Sequence, residues 1–195
     1  NLEIKENSSL GIMGKSGVGK STLGDLIMGV IQPKEGKILI GDHNIEDVRD
    51  SWLKYIGYVP QETYILDDTL KANIALGEDA EKIDNNKISE IISLLELDKI
   101  VERTEFNTGL VLGDNGVKLS GGQKQRIGIA RALYIEPKVL ILDESTSFLD
   151  LDTEKKIISI LEKLKSKISI IFITHRKSAT IFCEKILDLN ELKNE

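Results

Sequence analysis

The amino-acid sequence predicts an α/β domain with a mainly parallel sheet flanked by helices. Strand-length apolar runs, such as residues 139–142, recur along the chain. Between them lie segments with helical spacing of apolar residues, for example Ile157, Ile158, Leu161 and Leu164. Near the start, a glycine-rich loop joins one such strand to one such helix. Alternation of this kind favours a parallel sheet with helices on both faces.

Size and charge limit the classes of function. The 195 residues can bury a full core, and 26 Lys and Arg stand against 32 Asp and Glu, giving a net charge of −6. This acidic balance argues against nucleic acid as the main partner. The apolar runs fall short of the roughly 18 residues that would span a bilayer, so we expect this fragment to be soluble. Cys183 is the single cysteine, which suits a reducing setting without disulfides.

The predicted strands share short runs of apolar, often β-branched residues. In chain order they are residues 10–13, 37–40, 56–59, 139–142, 168–173 and 185–189. Gly41 and Asp42 follow the second run and predict a tight hairpin turn. We therefore expect a small N-terminal antiparallel β portion, truncated in this chain. Pro60 ends the third run because it lacks the backbone N–H that a sheet needs.

Helical spacing marks the segments between the strands. A helix is predicted after the glycine-rich loop, because Leu23, Leu26, Ile27 and Val30 recur there at helical spacing. Residues 62–134 have few β-branched runs, and we interpret them as an inserted helical subdomain. An apolar face in this subdomain is formed by Ile88, Ile91, Ile92 and Leu95.

The glycine-rich loop fits the phosphate-binding pattern of Gly, four residues, Gly, Lys and Ser or Thr. Its residues are Gly14, Lys15, Ser16, Gly17, Val18, Gly19, Lys20, Ser21 and Thr22. The glycines let backbone N–H groups turn toward phosphate oxygens at the positive end of the next helix. Lys20 would add a cation near the β- and γ-phosphates, Ser21 a hydroxyl for Mg²⁺, and Thr22 a further donor. The alternative, an accidental flexible loop, is disfavoured by the flanking strand and helix.

Asp143 and Glu144 directly follow the apolar run at residues 139–142. A buried strand would deliver both carboxylates to its C-terminal end, where open α/β sheets bind ligands. Asp143 suits Mg²⁺, directly or through water, and Glu144 would deprotonate a water that attacks the γ-phosphate. An apolar run followed by Asp-Glu is common by itself, so this interpretation depends on the phosphate loop.

Residues 119–123 are Leu-Ser-Gly-Gly-Gln and predict a helix start. Ser120 is placed to cap the helix, and Gln123 to reach back from the third position, as in a capping box. A cap does not require Gly121 and Gly122. The two glycines leave backbone N–H groups uncovered at a helix N-terminus, as a second anion site would. A plain helix start is the alternative.

At this point the chain resembles the ATP-binding cassette (ABC) family, whose signature is Leu-Ser-Gly-Gly-Gln as it stands here. The resemblance covers nearly the whole chain and implies a P-loop NTPase fold. Gln61 matches the glutamine that reaches Mg²⁺ and the attacking water, and His175 matches the histidine that contacts the γ-phosphate. Asp150 matches the loop that communicates across a dimer.

Two further stretches resemble exporter-type members of the family. Residues 111–116 match a segment that contacts the coupling helices, with Asp114 in place of the usual Glu, and residues 69–74 match another exporter pattern. Phe148 stands where the family usually has Ala. The aromatic residue on which the family stacks adenine would precede Asn1, and we expect a longer parent chain.

The resemblance implies a single ABC ATPase domain over residues 1–195, with a nucleotide-binding core at 1–61 and 135–195 and a helical subdomain at 62–134. It implies hydrolysis of ATP with Mg²⁺ by two copies of the chain, which form an ATP-dependent homodimer. Each ATP would lie between the phosphate loop of one copy and the signature residues of the other. The signature residues are Ser120, Gly121, Gly122 and Gln123. The parent chain is expected to carry an N-terminal transmembrane domain, which would hold this domain at the cytoplasmic face of a membrane such as the cell inner membrane.

Two alternatives remain open at this stage. A non-transport ABC ATPase acting on DNA or ribosomes would usually carry coiled-coil insertions or tandem cassettes, and the sequence shows no sustained heptads. A P-loop kinase or other monomeric NTPase with a coincidental Leu-Ser-Gly-Gly-Gln would work without a dimer.

Overall fold

Five parallel strands form the central sheet of the computed structural model, which describes residues 1–100, 111–113, 119–146 and 149–192. Together with a separate two-stranded hairpin, the described residues form seven strands. In chain order they are β1 (Ser9–Met13), β2 (Leu39–Ile40), β3 (His43–Asn44), β4 (Ile56–Val59), β5 (Val139–Asp143), β6 (Ser169–Thr174) and β7 (Lys185–Asp188). The sheet order is β4-β5-β6-β1-β7, and β2 pairs with β3 in a small antiparallel hairpin. The predicted α/β class is confirmed, and the strand ends lie within two residues of those predicted.

The helices lie between the strands, except for one short helix after β7. They are α1 (Lys20–Met28), α2 (Ile45–Leu53), α3 (Leu70–Ile74), α4 (Asn85–Leu94), α5 (Gly121–Tyr134), α6 (Leu151–Leu164), a 3₁₀ turn (Lys177–Thr180) and α7 (Leu189–Leu192). Gly29 ends α1 with a φ of 75°, a left-handed conformation that glycine adopts easily. Val30 therefore lies beyond the helix and is 58% exposed, so the predicted extension of the helix to Val30 is wrong.

The register of the sheet brings the C-terminal ends of its strands to one edge. Val59 of β4 pairs with Leu142 of β5, and Asp143 at the end of β5 pairs with Ile173 of β6. Met13 at the end of β1 pairs with Thr174 at the end of β6. Because all these pairs are parallel, the loops that follow β1, β4, β5 and β6 leave from the same edge.

Alternate residues of the strands enter two cores, one on each face of the sheet. One core is formed by Leu10, Ile12, Met28, Ile56, Ile141, Ile171 and Ile173. Trp52 of α2 packs against it, and its indole N–H donates to the Ile27 carbonyl at 2.9 Å. The other core holds Leu140, Leu142, Ile170 and Phe172 beneath α5 and α6. Full burial of each such side chain stabilises the folded state by about 1.5–3 kcal/mol. This burial holds the helices against both faces of the sheet.

Helix α5 connects the helical region to the sheet. It contacts α3 and α4 and also packs on β4. A Cβ placed on Gly57 of β4 would lie 2.7 Å from the Ala132 carbonyl oxygen, so only glycine permits this close approach.

The predicted apolar face in the helical region is confirmed. Ile88 and Ile91 on α4 and Leu95 just after it are buried, and Ile92 is partly buried against the same core. The division of the chain into a core and a helical subdomain stays a prediction. Of the helices in the described ranges, none is both long and apolar enough to cross a membrane.

Candidate active site

The glycine-rich loop runs from the end of β1 to the start of α1. Gly17 and Gly19 have φ values of 75° and 109°, in the left-handed region that other residues rarely adopt. The Leu23 N–H donates to the Gly19 carbonyl at 2.9 Å, which begins the helical hydrogen bonding. Lys15, Ser16 and Gly17 are exposed. The loop is therefore an open turn at the positive end of α1, where backbone N–H groups favour an anion.

Lys20, the first residue of α1, is the buried cation of the site. Its side chain is only 4% exposed. Nζ donates to the carbonyls of Gly14 and Lys15, both at 3.1 Å, and lies 3.0 Å from Glu144 Oε1. Three contacts match the three donors of an ammonium group. Lys20 thus ties the loop to the residue that follows β5.

Asp143, at the end of β5, carries an oxygen that fits a metal ion. Oδ2 accepts a hydrogen bond of 3.4 Å from the Tyr58 hydroxyl. Oδ1 is buried and has no hydrogen-bond partner within the described part of the chain. Burial raises the pKa of Asp143, and hydrogen bonding from Ser21 partly offsets the rise. An orphaned buried carboxylate oxygen is rare in proteins, and a cation would satisfy it.

The side chains around Asp143 suit Mg²⁺ better than a metal ion that is held by protein ligands alone. The described residues contain no group of three or more His, Cys, Asp or Glu side chains that could hold an ion. Mg²⁺ usually takes one or two protein oxygens and completes its shell with water and substrate phosphates. Asp143 with the Ser21 hydroxyl beside it supplies that kind of partial shell.

Glu144 and His175 meet across the sheet edge. The Glu144 N–H donates to the Ile173 carbonyl at 2.9 Å, and Glu144 has a φ of 46°, which is unfavourable for a residue other than glycine. This conformation leaves its carboxylate 20% exposed, with Oε2 3.8 Å from Nδ1 of the half-exposed His175. A carboxylate with one oxygen on a lysine and the other facing a histidine is placed to accept a proton from a bound water.

Gln61 follows β4 at the same edge and is exposed. The segment after it is held by α5. A Cβ on Gly128 would overlap Thr63 Oγ1, and the Arg131 guanidinium donates to the carbonyls of Asn73 at 2.7 Å and Tyr64 at 3.0 Å. These contacts fix the backbone a few residues beyond Gln61.

The predicted capping box at the start of α5 is present. The Gln123 N–H donates to Ser120 Oγ at 3.3 Å, and the Ser120 N–H donates to Gln123 Oε1 at 2.8 Å. Gly122 is buried, and a Cβ on it would overlap Thr153 Cγ2 at the start of α6. Gly122 thus has a packing role within its own chain, which the sequence pattern did not reveal. Gly121 has more room, since its Cβ would meet Leu149 at 3.8 Å.

Asp150 caps α6. One carboxylate oxygen accepts from the N–H groups of Asp152 at 3.1 Å and Thr153 at 3.0 Å, and the other accepts from the Thr153 hydroxyl at 2.7 Å. Hydrogen bonding from Thr153 lowers the pKa of Asp150 and favours its charged form. Phe148 and residues 114–116 lie outside the described residues, so the predictions for them stand untested.

Two side chains at the site were missed by sequence reasoning. Asn190 of α7 accepts a hydrogen bond of 3.1 Å from the Lys15 N–H, although it lies 175 positions away in the chain. Tyr58 reaches Asp143 from the neighbouring strand. No local pattern marks Asn190, whereas Tyr58 lies close before Gln61 on a strand that the sequence did predict.

Comparison with known proteins shows which family the chain is similar to. The family profile described as ABC transporter matches residues 1–147. The protein named "Putative export ATP-binding/permease protein RP696" from Rickettsia prowazekii is 40% identical over 191 residues, which are 97% of this chain and 33% of that protein. The lactococcin-A transport/processing ATP-binding protein LcnC of Lactococcus lactis is 39% identical over 98% of this chain and 27% of its own length.

Solved structures show the same fold. A bacterial Atm1-family ABC exporter, determined with ATP bound, superimposes with a TM-score of 0.83 and 34% identity, over 96% of this chain and 32% of that one. The chain spans about a third of the length of that exporter and of the Rickettsia protein. Since the family profile matches residues 1–147, the chain belongs to the ABC transporter family.

Proposed function

We propose that this chain is the part of an ABC exporter that binds and hydrolyses ATP. The observation that carries the proposal is the meeting of Lys20, Asp143 and Glu144 at one sheet edge, beside a loop of left-handed glycines. A buried cation, an unsatisfied carboxylate oxygen and a second carboxylate together match the needs of a phosphoryl-transfer site. Membership of the ABC transporter family supports ATP as the nucleotide.

Binding would rest on residues 14–22. Backbone N–H groups of the loop and the positive end of α1 would hold the phosphates, and Lys20 would turn from Glu144 toward a phosphate oxygen. Ser21, Asp143 and Gln61 would hold Mg²⁺, directly or through water. When bound, Mg²⁺ neutralises phosphate charge that develops during the transfer.

Hydrolysis would then use Glu144 as the general base. Its carboxylate would take a proton from the attacking water, which Gln61 would help to orient. His175, on the other side of Glu144, would contact the γ-phosphate and keep it in line with that water. The left-handed backbone of Glu144 supports this assignment, because such strain is found where a side chain must be aimed.

Two copies of the chain would share each ATP. The capped start of α5, with Ser120, Gly121, Gly122 and Gln123, would cover the nucleotide held on the phosphate loop of the other copy. An isologous pair of this kind binds two ATPs, closes on binding and reopens after hydrolysis. Asp150, at the cap of α6, would carry contacts across the same dimer interface.

Export is the process that the relatives' names favour. The Rickettsia relative is described as an export protein and permease, and the Lactococcus relative as a transport protein. Both are several times longer than this chain, which leaves room for a transmembrane domain, proposed to be N-terminal in the parent protein. The domain would then work at the cytoplasmic face of a membrane. The alternative of an ABC ATPase acting on DNA or ribosomes is not favoured by these names.

The substitution Glu144→Gln tests the proposal. It keeps the shape and hydrogen-bonding reach of the side chain but removes the base, so phosphate release should fall by a factor of roughly 10²–10⁴. Equilibrium titration should show that ATP still binds. The exposed carboxylate Glu162 on α6 offers a matched control, and Glu162→Gln should hydrolyse ATP like the wild type. Normal hydrolysis by Glu144→Gln would assign the base elsewhere.

A further inference from the structure

A charge pair joins the loop after His175 to the first turn of α6. Arg176 Nη1 lies 3.4 Å from Glu154 Oε1 and donates to the Leu149 carbonyl, also at 3.4 Å. The Glu154 side chain is only 3% exposed, whereas that of Arg176 is 29% exposed. A buried carboxylate is costly unless it is paired, so this contact differs from the surface ion pairs of the chain. Glu154 and Arg176 therefore connect the first turn of α6 to the loop after β6.

The first turn of α6 is fixed on its other side as well. Thr153, next to Glu154, donates its hydroxyl to the capping carboxylate of Asp150 at 2.7 Å. The methyl group of Thr153 fills the space that a side chain on Gly122 would need. One helical turn thus contacts the start of α5 through Thr153 and the loop after β6 through Glu154.

Given the ATPase activity proposed above, we infer that Glu154 and Arg176 are positioning residues. They hold His175 at a fixed position relative to the start of α5. Arg176 is the residue that directly follows His175 in the chain. Anchoring the Arg176 guanidinium therefore restricts the positions that the His175 ring can take. His175 serves the ATP on the chain's own phosphate loop, whereas Ser120 serves the ATP of the other copy. The turn between them joins the two half-sites of one chain, although neither Glu154 nor Arg176 would touch nucleotide.

Hydrolysis measurements on Glu154→Gln, Arg176→Gln and the double variant test this inference. Each single change should lower kcat about tenfold, equivalent to about 1.4 kcal/mol of barrier, while ATP affinity stays within about twofold because the phosphate loop is untouched. The double variant should be no slower than either single variant, since both remove the same contact. Glu162→Gln, on the exposed face of the same helix, is the matched control and should change neither quantity.

A histidine signal provides a readout that does not depend on catalysis. The chain has two histidines, His43 and His175, so their ring protons can be told apart by NMR. Glu154→Gln should shift the His175 signal and leave that of His43 in place. If Arg176→Gln fails to fold because it strands a buried charge, Glu154→Gln still gives both readouts.

The outcomes separate the inference from the proposed function. If kcat and the His175 signal of Glu154→Gln both match Glu162→Gln while its melting temperature falls, the pair only stabilises the fold and the inference is wrong. Multiplicative losses of kcat in the double variant would also overturn it. If the wild type fails to hydrolyse ATP but the His175 signal still shifts, the positioning contact stands and the proposed function fails.

Discussion

Lys20 is the residue on which nucleotide binding should depend most. Replacing it with Met keeps the buried stem and removes the charge that contacts Gly14, Lys15 and Glu144. A charge-assisted hydrogen bond contributes about 1.5–3 kcal/mol, so Lys20→Met should weaken ATP binding by about tenfold to a hundredfold or more. Titration with ATP measures the loss, and far-UV circular dichroism checks that the fold is kept. Unchanged affinity would remove the phosphate loop from the proposed site.

Cys183 gives a pH-dependent prediction at the same scale. Burial raises the pKa of its thiol to about 12, and the nearby Lys165 offsets the rise only partly. The thiolate is the reactive form, and an unperturbed cysteine has a pKa of about 8.5. Alkylation by iodoacetamide should therefore be slow in the folded chain and should keep rising by about tenfold per pH unit above pH 8.5. A rate that levels off near pH 9 would contradict the raised pKa, and unfolding in urea should restore fast labelling.

Individual site residues were predictable where a short pattern encodes them. Lys20, Ser21 and Asp143 follow from local motifs next to predicted strands, and the structure brings them to one edge. The contact between Lys20 and Glu144 was not predictable, because it depends on the register between strands distant in sequence. The same applies to Glu154 and Arg176, whose residue types alone suggest an exposed helix and loop.

At the scale of elements, the junction between α5 and α6 gives a prediction with its own rescue. Gly122→Ala would place a methyl group against Thr153 Cγ2, and overpacking of this kind typically costs about 1–3 kcal/mol. The melting temperature should fall by a few degrees for each kcal/mol, roughly 2–4 °C at this chain length. Thr153→Ser removes the obstructing methyl group but keeps the hydroxyl that bonds to Asp150, so it should restore stability to Gly122→Ala.

Gly121→Ala is the matched control for this junction. Its new methyl group would meet Leu149 at 3.8 Å, an ordinary contact, and alanine is a better helix former than glycine. Thermal melts of the wild type, Gly121→Ala, Gly122→Ala and the double variant Gly122→Ala with Thr153→Ser compare the effects of the two glycines on stability. Equal losses for Gly121→Ala and Gly122→Ala would show that packing against Thr153 does not explain the need for glycine at position 122.

Elements were predicted well where the apolar period was clear, and missed where other signals were needed. The strands of the central sheet have strong apolar runs, and their presence is confirmed. Helix α2 was missed although Asn44 caps it and Glu46 and Asp47 lie in its first turn, a recognisable start signal. The prediction extends α1 to Val30, whereas the helix ends at Met28. Gly29 is the C-cap, and a glycine at this position is a common helix-ending signal.

At the scale of the whole molecule, the shared-site arrangement predicts dimers that depend on ATP. In Glu144→Gln, which should keep ATP bound, Mg²⁺ and ATP should produce a dimer visible by light scattering. Adding Ser120→Arg should abolish it, because the larger side chain would crowd the phosphates at the capped start of α5. Without nucleotide, both proteins should be monomers. A Glu144→Gln protein that stays monomeric at high concentration with ATP bound would overturn the shared site.

The ion pair between Lys20 and Glu144 has a consequence for ligand selection. Free inorganic phosphate could reach Lys20 only by displacing Glu144, which exchanges one ion pair for another and leaves a carboxylate without its counter-charge. A ligand that arrives as an anion together with its own divalent cation would offset this loss, because a cation at Asp143 would also place positive charge near Glu144 while the anion takes Lys20. The ion pair would thus favour the binding of a metal-complexed polyphosphate over the binding of a free anion.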